Sequence, residues 1–347
     1  MQDISFFFRH PHPIYFSIEK LFHAVAGEIG NQDPDLPVKE FDLPFTSSIS
    51  SILKNIIFVR RSQTQVNHIT GDVHYTILGC SKKNINVLTV HDCVLLHHYR
   101  KTNPRHWIIR WLWYRLPAKQ ADAVTVISEN TKRDLLRFTS CPADKIRVIP
   151  NFIDPLFKPV PRDFNQDHPK LLFIGTAANK NLERTMEAVQ GLSVKLLIVG
   201  YLDEAQSAEL RNKNIHYHLL NKLSDQEMRN AYADADIMLF PSTYEGFGLP
   251  IIEAQATGRP VLTSSLEPMS SVAGNAACLV DPYSVESIRA GVKKIIENEG
   301  YRNELIESGF KNVERFQLKN VTKQYIDLYQ ELIQQKGIQS CAASQAY

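Results

Sequence analysis

Residues 240–264 read FPSTYEGFGLPIIEAQATGRPVLTS and predict a strand, a tight loop and then a helix. Gly246 and Gly248 in the loop let the backbone approach a ligand closely and leave amide groups available. The following helix directs its positive end at the same loop, which suits a phosphate or a sugar oxygen. Glu245 and Glu253 lie eight positions apart across this bend. We expect the two carboxylates to hold different parts of one extended ligand.

Short aliphatic runs recur on both sides of this segment and alternate with helical patterns. Such alternation builds βαβ units and a parallel sheet. The predicted strands are 4–8, 65–69, 85–91, 123–128 and 145–150 in the first half, and 171–175, 194–200, 215–220, 236–240, 260–264 and 277–280 in the second. Since 347 residues exceed one ordinary core, we predict an α/β protein with two Rossmann-like doubly wound domains facing a cleft.

The predicted domain boundary is the polar stretch KPVPRDFNQDHPK at 158–170, which has the composition of a linker. It separates an N-terminal domain over 1–165 from a C-terminal domain over 166–316. An amphipathic helix over 317–336 is predicted to pack back toward the N-terminal domain. The small, polar tail over 337–347 is expected to be flexible.

The net charge of +2 conceals an asymmetry between the two halves. Residues 1–165 contain 21 Lys and Arg against 15 Asp and Glu, a balance of +6, whereas the rest of the chain has a balance of −4. A basic half is typical of proteins with an anionic partner, such as a membrane surface, a phosphate or a nucleic acid. We expect no nucleic-acid partner, because a membrane explains the charge equally well.

Other features predict a cytoplasmic protein. The five cysteines are scattered without C-x2-C spacing, which argues against a zinc site or a disulfide framework. The start MQDISFFFRHPHP lacks the basic region of a signal peptide, and no stretch approaches the ~20 apolar residues of a membrane span. Peripheral attachment to the inner face of the cytoplasmic membrane would then depend on a surface segment.

One candidate for such a segment is RKTNPRHWIIRWLWYRLPAK at 100–119, with six Lys or Arg, no acidic residue, three Trp and one Tyr. It is long enough for an interfacial helix with basic flanks. Two interpretations remain open. In the first, the segment contacts an anionic membrane that contains a lipid-linked acceptor. In the second, it is a packed helix whose tryptophans fill the core of the first domain.

Several segments resemble the family 4 retaining glycosyltransferases. EGFGLPIIEA from Glu245, with GRPV at 258–261, is similar to the donor-site signature of that family. The other matching segments are IGTAANKNLERTMEAV (174–189), VISENTKRDL (126–135), RVIPNFID (147–154), and VNHITGDVHY (66–75) with TVHD (89–92), of which the last pair resembles bacterial members that build surface polysaccharides. The resemblance extends from about Phe8 to about Tyr329.

This resemblance implies a GT-B architecture that needs no metal and no other cofactor. The second domain would bind a nucleoside-diphosphate sugar, and the first a saccharide or lipid-linked acceptor. The implied reaction transfers a hexose with retention of anomeric configuration, a mannosyltransferase being one candidate. Its product would be a lipopolysaccharide O-antigen, a capsule or an exopolysaccharide.

The resemblance also implies roles for single residues. Glu245 would hold the hydroxyls of the donor sugar, Lys180 the diphosphate and Glu253 the ribose. The predicted catalytic residues are Glu245, His91 and Lys180. The predicted donor-binding residues are Gly175, Thr176, Lys180, Asn181, Glu245, Gly246, Phe247, Gly248, Leu249 and Glu253. The predicted acceptor-side residues are Arg9, His12, His68, Asp72 and Asp92.

The chain departs from the family at two places. Thr176 stands where many members have an arginine, so the diphosphate would rest on Lys180 alone or on another base such as Arg184. The first loop, with Arg9 and His12, lacks the Gly-Gly found in many members.

Two groups of residues resemble metal sites. His68, Asp72 and His74 lie close together in sequence, and we prefer acceptor-site or packing roles for them. Asp234-Ala-Asp236 resembles the Asp-x-Asp metal motif of another glycosyltransferase fold, but its position predicts a helix cap and a strand start.

Other enzyme classes lack their motifs here. No strand is followed by G-x-G-x-x-G, which argues against a dehydrogenase, and G-x4-G-K-[ST] is missing, which argues against a nucleotide hydrolase. The remaining alternative is a non-catalytic two-lobed protein that binds a sugar or a nucleotide sugar.

Overall fold

The computed structural model describes residues 3–11, 17–46, 48–98 and 102–337. The chain forms two compact units. The first unit comprises Met1–Phe152 and Leu318–Tyr347, and the second comprises Ile153–Gln317. Each unit contains a six-stranded sheet whose neighbouring strands are parallel. The predicted α/β class with two doubly wound sheets is confirmed.

The first unit begins with β1 and alternates strands with helices. Its elements are β1 (Ile4–Phe8), α1 (Ser17–Gln32), β2 (Val38–Asp42), α2 (Ile49–Ser62), β3 (Val66–Ile69), β4 (Ile85–Val90), α3 (Val94–His98), α4 (Pro104–Ile109), α5 (Leu116–Gln120), β5 (Ala123–Val126), α6 (Glu129–Phe138) and β6 (Ile146–Val148). A π-helical turn, Arg110–Arg115, joins α4 to α5.

The second unit continues the alternation, and the chain ends in a helix of the first unit. The elements are β7 (Lys170–Ile174), α7 (Leu182–Val189), β8 (Lys195–Val199), α8 (Glu204–Asn212), β9 (His216–Leu220), α9 (Asp225–Asp234), β10 (Ile237–Phe240), α10 (Leu249–Ala256), β11 (Val261–Ser264), α11 (Met269–Ala273), β12 (Cys278–Val280), α12 (Val285–Glu297), α13 (Glu299–Val313) and α14 (Leu318–Gln335).

The strand order locates a candidate site in each unit. The second sheet has the order β12-β11-β10-β7-β8-β9, which is the Rossmann order and reverses between β7 and β10. The first sheet has the order β2-β1-β3-β4-β5-β6 and reverses between β1 and β3, as in flavodoxin-like sheets. Ligands of such sheets bind beyond the carboxyl ends of the strands at the reversal. The relevant loops therefore follow β7 and β10, and β1 and β3.

Burial explains which strands the sequence revealed. Central strands such as β1 and β4 are buried along their whole length, so they appear as continuous apolar runs. The edge strand β2, with the sequence VKEFD, was not predicted. Its side chains are half-buried or exposed, and charged residues are typical of such edges.

The predicted domain boundary at residue 165 lies too far along the chain. The stretch that resembles a linker is held to the second unit by Arg162, whose Nε donates to Asp236 at 2.8 Å. Arg259 donates from Nη2 to the carbonyl of Val160 at 2.7 Å. These bonds explain why the second unit begins at Ile153 rather than after a flexible linker.

The closing helix α14 packs on the sheet of the first unit. Its apolar face joins a buried cluster with β1 and α1. The hydroxyl of Tyr329 lies 2.6 Å from Nδ1 of His68 on β3, and Nε2 of the same ring lies 2.7 Å from Thr89 Oγ1 on β4. The last helix is thus joined to the sheet by packing and by a buried polar network.

Candidate functional site

Two loops meet at the strand reversal of the second unit. The amide of Thr243 donates to the carbonyl of Asn179 at 2.8 Å, and Nδ2 of Asn179 donates to the carbonyl of Tyr244 at 2.9 Å. Between them, Nζ of Lys180 lies 2.7 Å from Oε1 of Glu245. Both side chains are mostly buried, with 21% and 14% exposed. The structure therefore brings the two principal predicted residues into one ion pair.

Gly175 allows Lys180 to take this position. Its φ of +87° lies in the region that favours glycine, and a Cβ there would lie 2.9 Å from Lys180 Cε. Thr176, which stands where many family members have an arginine, donates its hydroxyl to the carbonyl of Tyr201 at 2.5 Å. Thr176 therefore holds the loop after β8 by a hydrogen bond and supplies no positive charge.

Asn181 has a different role from the predicted one. It has a left-handed backbone and is 2% exposed. Its Nδ2 donates to the carbonyls of Pro241 at 3.0 Å and Pro282 at 2.6 Å, and its Oδ1 accepts from Arg184 at 3.0 Å. The Asn181 side chain thus holds loops together, and only its backbone remains a candidate donor contact. Arg184, the alternative cation, is held beside this loop.

The chain turns into α10 through Gly248, whose φ is +110°. The helix starts at Leu249, with Pro250 in the first turn, where a missing amide costs little. Its positive end therefore lies at the loop of Gly246 and Glu245. Phe247 is buried and packs edge-to-face against Phe316, so only its backbone remains a candidate donor contact.

Glu253 lies one turn into α10 and is half-buried. Its Oε2 accepts a hydrogen bond from the hydroxyl of Tyr232 at 2.6 Å. Burial and the nearby carboxylate raise the pKa of Tyr232 well above its usual value, so it stays protonated and donates. Sequence analysis missed Tyr232 because it lies on α9, outside every motif.

Loops at the carboxyl ends of the first unit's strands also carry charged side chains. Arg9, after β1, forms an ion pair with Glu19 of α1, Nε to Oε1 at 2.7 Å. Asp72, after β3, is exposed, and its carbonyl accepts from Trp113 Nε1 at 2.9 Å. Asp92 accepts from the amide of Val94 at 2.9 Å and so caps α3. His12 lies outside the described residues.

His91 follows β4 and is half-buried. Its Nε2 lies 3.0 Å from the carbonyl oxygen of Thr70. A carbonyl only accepts, so Nε2 carries the proton and Nδ1 is an acceptor. Burial lowers the pKa of His91, which keeps the ring neutral at pH 7. The ring is thus suited to accept a hydrogen bond from a hydroxyl, not to deliver a proton.

His68 is a packing residue, which corrects its assignment to the acceptor side. It is 0% exposed, and Tyr329 and Thr89 occupy both ring nitrogens. Burial lowers its pKa to about 3. His74 is also buried, with Nδ1 2.9 Å from the carbonyl of Trp113. The packing alternative therefore applies to both histidines.

Asp234-Ala-Asp236 has the predicted structural role. Asp234 ends α9 and pairs with Lys170, and Asp236 is buried and accepts from the Lys170 amide at 2.8 Å. Among the described residues, no group of three or more His, Cys, Asp or Glu side chains is arranged to hold a metal ion.

In the segment at 100–119, the packing interpretation holds for some side chains, and contact with a membrane stays a prediction. Trp113 and Tyr114 pack into the first unit, and Tyr114 is 2% exposed. Trp107, Ile108 and Trp111 are 45%, 59% and 46% exposed. Within the described part of the chain, no helix is both long and apolar enough to cross a membrane.

Comparisons with known proteins match this architecture. The model of Glycosyltransferase Family 4 matches residues 29–156, and that of Glycosyl transferases group 1 matches residues 157–312. The O-antigen chain mannosyltransferase B of Escherichia coli is 27% identical over 235 residues, covering 61% of each chain. The present chain thus spans about three fifths of the length of this curated relative.

Two solved structures show the same fold. Sucrose-phosphate synthase from Thermosynechococcus elongatus has a TM-score of 0.78 at 16% identity, covering 96% of this chain and 100% of that one. The Anabaena protein Alr3699/HepE, in complex with UDP and glucose, has a TM-score of 0.73 at 15% identity, with coverages of 95% and 100%. The two parallel sheets define a GT-B fold. With both family models matched in order, the chain belongs to the family 4 glycosyltransferases.

Proposed function

We propose that this protein transfers a hexose, with mannose as the first candidate, from a nucleoside-diphosphate sugar to a saccharide or lipid-linked saccharide. The product would be a bacterial surface polysaccharide such as an O-antigen, and the anomeric configuration would be retained. The observation that carries the proposal is the Lys180–Glu245 ion pair at the strand reversal of the second unit. The name of the Escherichia coli relative supports mannose and O-antigen.

The site supplies opposite charges where the reaction needs them. Cleavage of the anomeric C–O bond leaves a nucleoside diphosphate, whose growing negative charge Lys180 and the positive end of α10 would stabilise. The sugar gains oxocarbenium character, and the Glu245 carboxylate favours that positive charge. We propose that these groups act without a metal ion.

The ion pair implies a change of partners when the donor binds. Lys180 cannot direct its full charge at the diphosphate while Glu245 holds it at 2.7 Å. Donor binding would move Lys180 toward the diphosphate and leave Glu245 for the sugar hydroxyls. A purely binding protein would have no need of this exchange, so detecting it would favour catalysis over the non-catalytic alternative.

The test is a screen of sugar nucleotides with a chelator present, using release of nucleoside diphosphate and transfer to oligosaccharide acceptors as readouts. GDP-mannose is the first donor, and the anomeric configuration of the product tests retention. We expect Lys180→Gln to abolish release. Lys195→Gln, which removes an exposed lysine at the start of β8, is the matched control. Tight donor binding without release, with every acceptor tried, would instead support the binding protein.

A further inference from the structure

The outer surface of the segment joining α4 to α5 exposes large apolar side chains. Trp107, Ile108, Trp111 and Leu116 are each between 37% and 59% exposed. The chain passes here through the π-helical turn, where the amide of Leu116 bonds to the carbonyl of Trp111, five residues earlier. We call these four residues the aromatic stripe. Exposed indole rings of this kind are typical of surfaces that bind partners or membranes.

Arginines lie against the rings of this stripe. The Arg110 guanidinium lies 5.3 Å from the Trp107 ring centroid, and that of Arg115 lies 4.6 Å from the Trp111 centroid. Arg110 also donates from Nε to the carbonyl of Phe138 at 2.7 Å, which fixes its position. Two guanidinium groups are thus held beside the exposed rings. Such a surface suits an interface where an apolar layer meets an anionic one.

A cleft of about 410 Å³ opens beside the stripe. Trp111, Arg115 and Lys119 line one side, and Ser140, Cys141 and Lys145 line the other. None of its lining residues is acidic. Nζ of Lys145 donates to the carbonyl of Ala121 at 3.0 Å, which holds the amine at the cleft. Three cations around one concave space of this size suit a phosphate ester.

We propose that this surface docks onto an anionic phospholipid bilayer. The aromatic stripe enters the headgroup layer, and the cleft binds the phosphate of one acidic lipid. The two features share Trp111 and Leu116, and Arg115 of the cleft lies against the Trp111 ring, so one orientation satisfies both. The balance of +6 over residues 1–165 complements such a membrane. The proposal does not depend on glycosyl transfer, and its test measures binding alone.

The test is cosedimentation of the whole chain with phosphatidylcholine vesicles and with equimolar phosphatidylcholine and phosphatidylglycerol. We expect binding only to the anionic vesicles. Arg115→Glu with Lys119→Glu should weaken it at least about tenfold, because two side chains that attract anionic headgroups would then repel them. Trp107→Ser with Trp111→Ser should weaken it by a similar factor while leaving the basic cleft charges in place.

The control reverses two exposed cations of the second unit, Arg211→Glu with Lys311→Glu, which changes the net charge by the same amount. If this control weakens vesicle binding as much as Arg115→Glu with Lys119→Glu, overall charge explains the binding and the proposal fails. Circular dichroism and urea unfolding verify that each variant is folded.

Brominated lipid tails test the depth of insertion. A variant that keeps only the inward-packed tryptophan, Trp107→Phe with Trp111→Phe, should be quenched less than Trp113→Phe, which keeps the two exposed rings. Equal quenching would overturn the predicted orientation. Binding of glycerol phosphate to the cleft without any binding to anionic vesicles would mean a soluble phosphate ligand, and would overturn the bilayer proposal.

Discussion

The sheets of the two units are built alike but differ in where a pair of polar side chains lies. In the second unit, loops beyond the strands present Lys180 and Glu245 as a partly exposed ion pair. In the first unit, the polar groups His68 and Thr89 lie on the strands themselves, and Tyr329 of α14 covers them. A reversal creates a crevice, but residues beyond the strand ends determine whether it offers charge to a ligand.

The largest effect on activity should come from removing one partner of the Lys180–Glu245 ion pair. Glu245→Gln should lower kcat about 10²- to 10³-fold, the usual cost of removing one transition-state electrostatic contact. It should not weaken binding of the nucleoside diphosphate, because Lys180 loses its competing carboxylate. Lys180→Gln should lower kcat and also weaken nucleotide binding, as measured by steady-state kinetics and calorimetry.

Glu297→Gln, an exposed change on α12, controls for loss of one negative charge. If Glu245→Gln and Lys180→Gln weaken nucleotide binding equally, then the pair does not exchange partners. Lys180 and Glu245 would then only hold loops of the second unit together, as His68 and Thr89 hold strands of the first.

Acid should destabilise the first unit selectively through His68. Burial lowers the pKa of His68 to about 3, whereas an unfolded histidine has a pKa of about 6.5. Below pH 6.5 the unfolded chain binds a proton that the folded chain excludes. The contribution of neutral His68 to the free energy of unfolding is therefore complete above pH 6.5. Below that pH the free energy of unfolding falls by about 1.4 kcal/mol per pH unit, which amounts to about 2 kcal/mol by pH 5.

The three tryptophans all lie in the first unit, so urea unfolding followed by their fluorescence reports on this unit. His68→Gln should give a shallower dependence on pH, with His74 and His91 accounting for the rest. Tyr329→Phe should lower stability at pH 7 by about 1–3 kcal/mol, because it leaves a buried ring nitrogen unpaired, yet keep the dependence on pH. If the free energy of unfolding of His68→Gln depends on pH as steeply as that of the wild type, then His68 is not the source of the acid sensitivity.

A smaller effect on nucleotide binding is expected from a substitution at Gly175. Gly175→Ala places a Cβ at a φ of +87°, which costs about 1–2 kcal/mol, and brings it 2.9 Å from Lys180 Cε. Nucleotide binding should weaken by several-fold because the lysine must move. Gly191→Ala, also at positive φ but with open space around it, carries the backbone cost without the contact. Equal nucleotide affinity in the two variants would show that Lys180 does not need this close approach.

The sequence predicted what burial and local motifs encode. The predicted bounds of buried strands such as β1 and β7 agree with the structure to within a residue, and short motifs carry the family resemblance at Lys180 and Glu245. The Asp234-Ala-Asp236 segment ends a helix and leads into a strand, as predicted. These features depend on residues that are neighbours along the chain.

Features that depend on distant partners were missed. The Tyr232–Glu253 bond joins two helices, and the Asn179 and Asn181 amides bond to carbonyls in other loops. The boundary was misplaced for the same reason, because a linker composition does not show that Arg162 is paired with Asp236. In each case, the decisive partner lies more than twenty positions away.

The position of α14 also affects how a cell makes this protein. The second unit is one continuous stretch of the chain, so it is fully synthesised before α14 leaves the ribosome. At about 5–20 residues per second, its synthesis occupies on the order of ten to thirty seconds. Throughout that interval the nascent first unit lacks the helix that covers Phe22 and His68. The unfinished chain therefore exposes an apolar face that chaperones recognise, and a message truncated before α14 would yield a product for proteolysis.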